Sequence, residues 1–278
     1  MRQLNATSTG ISAVDSLSVN ARPAIIDYVE AVSHYVLQAP HLTPSDAKTA
    51  QIALSAGLGR VLLTALQAKI PTLDAFAGEQ TVAGALRTAR ADVSEAHKLD
   101  GLRLAVEIKP VNLAVGRALW NRFGDIRAFA VNIHLKFPFA VVGGILAVPT
   151  WEWKAPGKES REPHPTDAVV GEPEAVLDEE EGSQEDEVVT ELSDAVKAKK
   201  QLVKASTTHL LRRLERRLER TRKRLTEADP PHLLEAVALL VYDPTEGTLD
   251  HELPKPGTGL RWEEFVGSLV DAYEVRFE

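Results

Sequence analysis

The sequence has no cysteine, which excludes disulfide bonds, cysteine-based zinc sites and a thiol nucleophile. It also has no long apolar run, since the longest, residues 137–149, is shorter than the roughly 20 residues that a helix needs to cross a bilayer. The first ten residues are polar and lack the apolar stretch of a signal peptide. These absences predict a soluble, cytoplasmic protein without a membrane partner.

The motifs of several large enzyme classes are missing as well. The sequence contains no GxxxxGK[ST], no GxGxxG, no GxSxG and no HExxH. It therefore gives no support to an ATP-driven, dinucleotide-dependent, serine-hydrolase or zinc-protease function.

Basic residues are fewer than acidic ones, and the net charge is −8. The acidic residues are unevenly spread, because residues 162–194 contain 13 of them and no Lys or Arg. The rest of the chain has 32 basic against 27 acidic residues, a net charge of +5. A mildly basic body with one acidic segment suits a phosphate-bearing partner.

Hydrophobic periodicity and turn signals predict an α/β protein with a central mixed β-sheet flanked by helices. The predicted helices cover residues 22–38, 43 to about 69, 112–135, 191–228 and 262–273, and the predicted strands cover residues 90–97, 102–109, 139–148 and 233–242. Five regions follow: an N-terminal helical region (1–75), a core (76–153), an acidic flexible insertion (154–190), a long basic helix (191–229), and a C-terminal strand and helix that complete the core (230–278). Asn112 is the predicted N-cap of its helix.

The hairpin over residues 90–109 ends in Glu107-Ile108-Lys109, an unusual pair of charges for a half-buried strand. If residues 99 and 100 form the turn, Asp92 lies directly opposite Glu107. If residues 100 and 101 form it, Asp92 faces Lys109 and is diagonal to Glu107. Both registers place the three charged side chains on one face, where opposed Cβ atoms are about 4.5–5.5 Å apart.

Asp100 is the alternative first carboxylate, but it lies seven residues before Glu107 on the same strand and so points to the opposite face. We therefore predict Asp92. Two carboxylates this close repel each other unless a cation lies between them, and Mg²⁺ usually takes one or two carboxylates and keeps several waters. A neighbouring Lys109 would orient or deprotonate an attacking water, or stabilise charge that develops on phosphorus. A solvated strand face is the alternative interpretation.

An aspartate, a turn, Glu-x-Lys at the end of an apolar strand, a helix and a further apolar strand resemble the PD-(D/E)xK nuclease superfamily, whose best-known members are type II restriction endonucleases. The resemblance covers residues 76–149 and implies a restriction-endonuclease-like core of helix, three-stranded meander, helix and strand. It implies that Asp92, Glu107 and the backbone carbonyl of Ile108 hold Mg²⁺ and that Lys109 is the catalytic lysine. Ala91 departs from the motif, which has proline there.

Many members of this superfamily carry a further glutamate on an upstream helix. Glu79 is the nearest candidate here and Glu30 a more distant one. Asn121 and Arg122, on the helix after the motif, are candidate accessory residues that reach a phosphate. Lys136, after that helix, is a candidate contact to the DNA backbone.

The predicted long helix is a second basic feature, with 12 basic and two acidic residues between positions 197 and 224. Its candidate phosphate contacts are Arg212, Arg213, Arg216, Arg217 and Arg220. The spacing of Leu211, Leu214, Leu218, Thr221 and Leu225 is that of a coiled-coil seam. This seam either packs against the body of the protein or forms a dimer.

These observations together predict a Mg²⁺-dependent endonuclease of the restriction type that acts on double-stranded DNA. A homodimer is expected because two active sites are needed to cut two strands. Two alternatives stay open: a non-catalytic DNA-binding or assembly protein that uses the arginine-rich helix, and a nuclease that acts on branched DNA or RNA.

Overall fold

The computed structural model describes residues 24–155 and 202–278. Most of the predicted acidic insertion, and the first part of the predicted basic helix, lie outside these residues. Within them the helices are α1 (Ile25–Gln38), α2 (Pro44–Gln67), α3 (Val115–His134), α4 (Thr208–Thr221) and α5 (Trp262–Phe277), with a short 3₁₀ turn at Ala39–His41. The strands are β1 (Phe76–Ala83), β2 (Thr88–His97), β3 (Gly101–Pro110), β4 (Val141–Pro149), β5 (Trp151–Lys154), β6 (Val203–Ser206), β7 (Ala236–Asp243) and β8 (Thr248–Leu249).

The central sheet is mixed and has six strands in the order β1-β2-β3-β4-β7-β8. The first three strands form an antiparallel meander, β4 and β7 lie parallel to β3, and β8 turns back antiparallel to β7. Parallel neighbours need a crossover connection, and α3 supplies the one between β3 and β4. Strands β5 and β6 form a separate two-stranded sheet. The predicted α/β class with a central mixed sheet flanked by helices is confirmed.

The helices cover the central sheet on both faces. Buried residues of α1, α2 and α5 form one hydrophobic cluster with the sheet, and those of α3 and α4 form a second cluster with it. All nine residues of β4 are buried, as predicted for a central apolar strand. A side chain at Gly144 would place a Cβ 2.5 Å from Ile126 Cγ2, so this glycine lets α3 pack closely on β4.

Helix α2 is long and apolar enough to cross a membrane by length and composition. However, nine of its residues are buried, including Leu54, Leu58 and Leu62, and they pack in the cluster on the first face of the sheet. These contacts are those of a core helix. Its N-cap is Thr43, whose Oγ1 accepts a hydrogen bond from the Asp46 N–H. Its two glycines do not interrupt the helix.

Helix α3 begins later than predicted and is capped differently. It starts at Val115, after Ala114 in a left-handed conformation (φ 50°), and Asn112 is not its N-cap. The Val115 N–H donates instead to Oε2 of the buried Glu152, at 2.5 Å. A carboxylate distant in the sequence has thus replaced the local cap, which is favourable at the positive end of a helix dipole.

The predicted long basic helix is shorter than its charge pattern indicated. Among the described residues, Val203–Ser206 form a strand, and the helix ends at Thr221. Leu211, Leu214 and Leu218 are fully buried against α3 and the sheet, whereas Leu225 lies beyond the helix and is 81% exposed. The seam is therefore used within the chain, and the dimer interpretation of this seam is wrong.

A buried cluster of ionisable side chains lies at the amino ends of β4 and β7. Oε1 of Glu235 lies 2.7 Å from Nη2 of Arg276 and 3.3 Å from Nε of Arg224, and its Oε2 lies 3.2 Å from Nε2 of His134. These residues come from α3, α5 and the segment that leads into β7, so the cluster connects the helices at the amino ends of β4 and β7.

Candidate active site

A cleft opens where β2 and β3 separate. The last paired residues of these two strands at this end are Val93 and Val106, whereas the pairing of β3 with β4 continues to Pro110. The cleft has a volume of about 390 Å³ and lies at the carboxyl end of β3, a usual place for sites in α/β proteins. Its polar lining comes from α2 (Lys48, Gln51, Ser55), the meander (Glu79, Arg90, Asp92, Glu107, Lys109), the segment after β3 (Asn112) and α3 (Arg122).

The register of the hairpin decides which side chains meet in this cleft. Val93 pairs with Val106 and Glu95 with Leu104, which extends to Asp92 opposite Glu107, the first of the two predicted registers. Next to the turn, however, His97 pairs with Gly101. Continued without a shift, that pairing would place Asp92 opposite Val106 and on the other face from Glu107.

A β-bulge between the turn and the cleft corrects the register. Glu95 pairs with Leu104 and Ala96 with Leu102, so Arg103 is the extra residue on β3. The bulge also moves Leu102 to the cluster with α3, although strict alternation predicted that it shares a face with Leu104. Beyond the bulge, the Val93–Val106 pair returns to the register that directs Asp92 towards Glu107, and both carboxylates line the cleft. The sequence pattern did not reveal this bulge.

The side chain of Asp92 binds a backbone N–H group of β3 in the region where the backbone of β2 no longer pairs with β3. Its Oδ2 accepts a hydrogen bond from the Ile108 N–H at 2.6 Å. The N–H and C=O of one residue in an extended strand point to the same side, so the Ile108 carbonyl also points towards Asp92. Burial raises the pKa of Asp92, and the hydrogen bond from Ile108 and the charge of Lys109 offset this only in part.

Glu107 and Lys109 form a close ion pair, with 2.6 Å between Oε1 and Nζ. The Glu107 side chain is only 10% exposed. Burial raises the pKa of Glu107 to about 7, against the opposing charge of Lys109. Burial by itself lowers the pKa of Lys109, but the charge and hydrogen bond of Glu107 outweigh this effect and hold it above its usual value.

The nearer of the two candidates for the upstream glutamate, Glu79, is not on a helix. Glu79 lies on β1, lines the cleft, and pairs with Arg90 at 2.5 Å between Oε1 and Nη1. Glu30 lies on α1 and lines a different groove, beside β8. The helix that precedes the meander, α2, is wholly within the described residues, and it contributes no carboxylate to the cleft lining.

Helix α3 brings one predicted residue, Arg122, to the cleft. The same helix carries Asp125, a carboxylate to which the prediction gave no role. Arg122 lines the cleft and pairs with Asp125 at 3.2 Å, whereas Asn121 is exposed and is not part of the lining. The negative charge of Asp125 contributes to raising the pKa of both Glu107 and Lys109, so it lies close enough to act on them. Its position three residues after Arg122 was the available sequence signal.

The other predicted DNA contacts lie away from the cleft. Lys136 follows the last residue of α3, and the 20 residues of this helix span about 30 Å. Helix α4 carries the five predicted arginines, and none of them lines the cleft: Arg212, Arg213, Arg216, Arg217 and Arg220. Asp100, the rejected carboxylate, lies in the turn beside His97 and Arg103. The structure thus groups Asp92, Glu107, Ile108, Lys109, Glu79 and Arg122, and leaves the remaining candidates elsewhere.

The donor set of the cleft fits Mg²⁺ better than metals that need several protein ligands. No group of three or more His, Cys, Asp or Glu side chains suited to a metal ion occurs among residues 24–155 and 202–278. Two carboxylates and a carbonyl are a sufficient protein contribution for Mg²⁺, which retains waters and binds substrate oxygens.

No protein-family model, no curated protein and no solved structure matches this chain.

Proposed function

We propose that this chain is a Mg²⁺-dependent endonuclease that hydrolyses phosphodiester bonds of double-stranded DNA, with a restriction-endonuclease-like core. The observation that carries the proposal is the convergence of Asp92, Glu107 and Lys109 in one open cleft, at the point where β2 leaves β3. The chain order of α2, the three-stranded meander, α3 and β4 also agrees with the core that the resemblance implies.

The cost of burying Glu107 supports a cation-binding role. A carboxylate with a pKa of about 7 is only partly ionised at neutral pH, although its ion-pair partner is 2.6 Å away. A divalent cation held by Asp92, Glu107 and the Ile108 carbonyl would relieve that cost. When bound, Mg²⁺ would supply Lewis-acid polarisation of the phosphate and lower the pKa of a coordinated water.

Lys109 is suited to stabilising charge rather than to accepting a proton. In the metal-free protein its raised pKa keeps the amine protonated at neutral pH, and a protonated lysine cannot act as a general base. Its Nζ is held beside the carboxylates by Glu107. We therefore assign to it the stabilisation of negative charge on the phosphoryl oxygens.

Cleavage of supercoiled plasmid, with Mg²⁺ or with EDTA, tests the proposal. Wild-type protein should nick or linearise the plasmid only with Mg²⁺, and Asp92→Asn, Glu107→Gln and Lys109→Met should each lower the rate by about 100-fold or more. Asp100→Asn is the matched control, because Asp100 is the carboxylate that the fold places in the turn. If the three cleft variants cut like the wild type, the assignment is wrong.

The same experiment separates the alternatives. A non-catalytic DNA-binding protein would shift the plasmid in a gel and leave it uncut under both conditions. Sequencing the ends of the products, and repeating the assay with branched DNA and with RNA, identifies the substrate of an active nuclease. A cytoplasmic location and a homodimer are part of the proposal, and the dimer needs an interface other than the buried seam of α4.

A further inference from the structure

Five arginines form one exposed face of α4, which we call the arginine face: Arg212, Arg213, Arg216, Arg217 and Arg220. No carboxylate among the described residues forms an ion pair with any of them. They include pairs that are three or four residues apart, such as Arg213 with Arg217, and like charges at these spacings on a helix repel. Within the described residues the face therefore carries positive charge that no ion pair compensates, which suits an anionic partner.

Trp120 of α3 holds two of these arginines in place. The guanidinium carbons of Arg213 and Arg217 lie 5.6 and 4.8 Å from the centroid of the indole ring. Cation–π contacts of this kind orient the planar guanidinium groups without neutralising them. Two long side chains thus lose part of their freedom before any ligand binds, which lowers the entropic cost of binding.

The arginine face is separate from the candidate active site. Ala118 and Arg122 of α3 line the cleft, but Trp120 lies between them in sequence. Successive helical residues are about 100° apart, so Trp120 is directed roughly 200° from Ala118, to the opposite flank of α3. The cleft and the arginine face therefore lie on the two sides of one helix.

The geometry of the face suits a regular line of phosphates. Helix α4 has 14 residues and is about 21 Å long, and its i,i+4 arginines are spaced by about 6 Å along the axis. Guanidinium groups bind phosphate oxygens through paired hydrogen bonds. A double helix presents phosphates every 3.4 Å or so along each strand, over the whole length of α4.

We propose that the arginine face binds the sugar-phosphate backbone of duplex DNA outside the cleft, without reading its sequence. The choice of DNA rather than another polyanion rests on the proposed function. Phosphate contacts of this kind fix the position of a duplex and carry no sequence information. The face would therefore hold DNA that flanks the site of cleavage.

The test measures binding of a fluorescent 30-base-pair duplex in EDTA, with the Glu107→Gln protein as background, over a range of salt concentrations. Neutralising Arg213 and Arg217 together by glutamine should reduce the slope of log K against log salt by about 1.8 in magnitude, because each phosphate contact contributes about 0.9. Trp120→Leu should weaken binding about two- to five-fold and leave the slope unchanged.

The control removes two exposed positive charges on the other face of the sheet, by Arg60→Gln with Lys69→Gln on and just after α2. A slope that changes equally in both double variants would overturn the proposal, as would tighter binding of duplex RNA than of duplex DNA. The assay contains no Mg²⁺ and involves no cleavage. Its failure is therefore distinguishable from failure of the proposed nuclease activity, which the plasmid assay measures.

Discussion

Replacing Glu107 by glutamine should stabilise the metal-free protein at alkaline pH. The ordinary pKa of this carboxyl is 4.5, and burial raises it to about 7 in the folded state. Between these values the unfolded chain has released the proton and the folded chain still holds it, so stability falls as pH rises. Above pH 7 the difference of about 2.5 pKa units corresponds to about 3 kcal/mol, at about 1.36 kcal/mol per unit.

The glutamine side chain has nearly the same shape as the protonated glutamic acid and never ionises. The variant should therefore be more stable than the wild type by about 3 kcal/mol at pH 8, and by less than about 1 kcal/mol at pH 5. Urea denaturation in EDTA, followed by tryptophan fluorescence, measures both differences. Added Mg²⁺ should narrow the gap at pH 8, because it stabilises only the protein that binds it.

Glu79→Gln is the matched control for this experiment. Its carboxylate is 55% exposed, so its removal should change stability by no more than about 0.5 kcal/mol at either pH. A Glu107→Gln protein that is less stable than the wild type at pH 8 would refute the reasoning. A gain in stability of Glu107→Gln over the wild type that is equal at pH 5 and pH 8 would also refute it.

Two further predictions concern the packing of α3 on the sheet. Asn132→Ala should cost about 2–3 kcal/mol in urea denaturation, because this buried amide accepts from the N–H groups of Leu86 and Arg87 and donates to the Arg87 carbonyl; a loss below 0.5 kcal/mol or so would contradict it. Gly144→Ala should cost about 1–3 kcal/mol by collision with Ile126, and combining it with Ile126→Ala should cost less than the sum of the two single changes. Strict additivity would show that the collision is relieved elsewhere.

The elements that depend on local signals were predictable from the sequence. Thr43 and Pro44 mark the start of α2, and the apolar run of β4 predicts a strand covered on both faces. The alternation along β3 predicted that Glu107 and Lys109 share a face, and they form an ion pair there. In each case the signal lies within a few residues of the feature that it predicts.

Other features depend on residues that are distant in the sequence. Asn112 has the right side chain for an N-cap, but its Oδ1 accepts a hydrogen bond from the Tyr242 hydroxyl, and Glu152 caps the helix. The leucine stripe of α4 suits a dimer seam and the protein's own core equally well, since periodicity identifies an apolar face and not its partner. Only the packing of α4 beside α3 decides between them.

For the candidate site, the sequence singled out Asp92, Glu107 and Lys109, because charged side chains at the end of an apolar strand need a partner or a ligand. The tertiary structure decided how they meet. The bulge at Arg103 sets the register of β2 against β3, the separation of β2 from β3 opens the cleft, and α3 adds Arg122, which pairs with Asp125. These depend on strand pairing and helix packing, which local sequence does not encode.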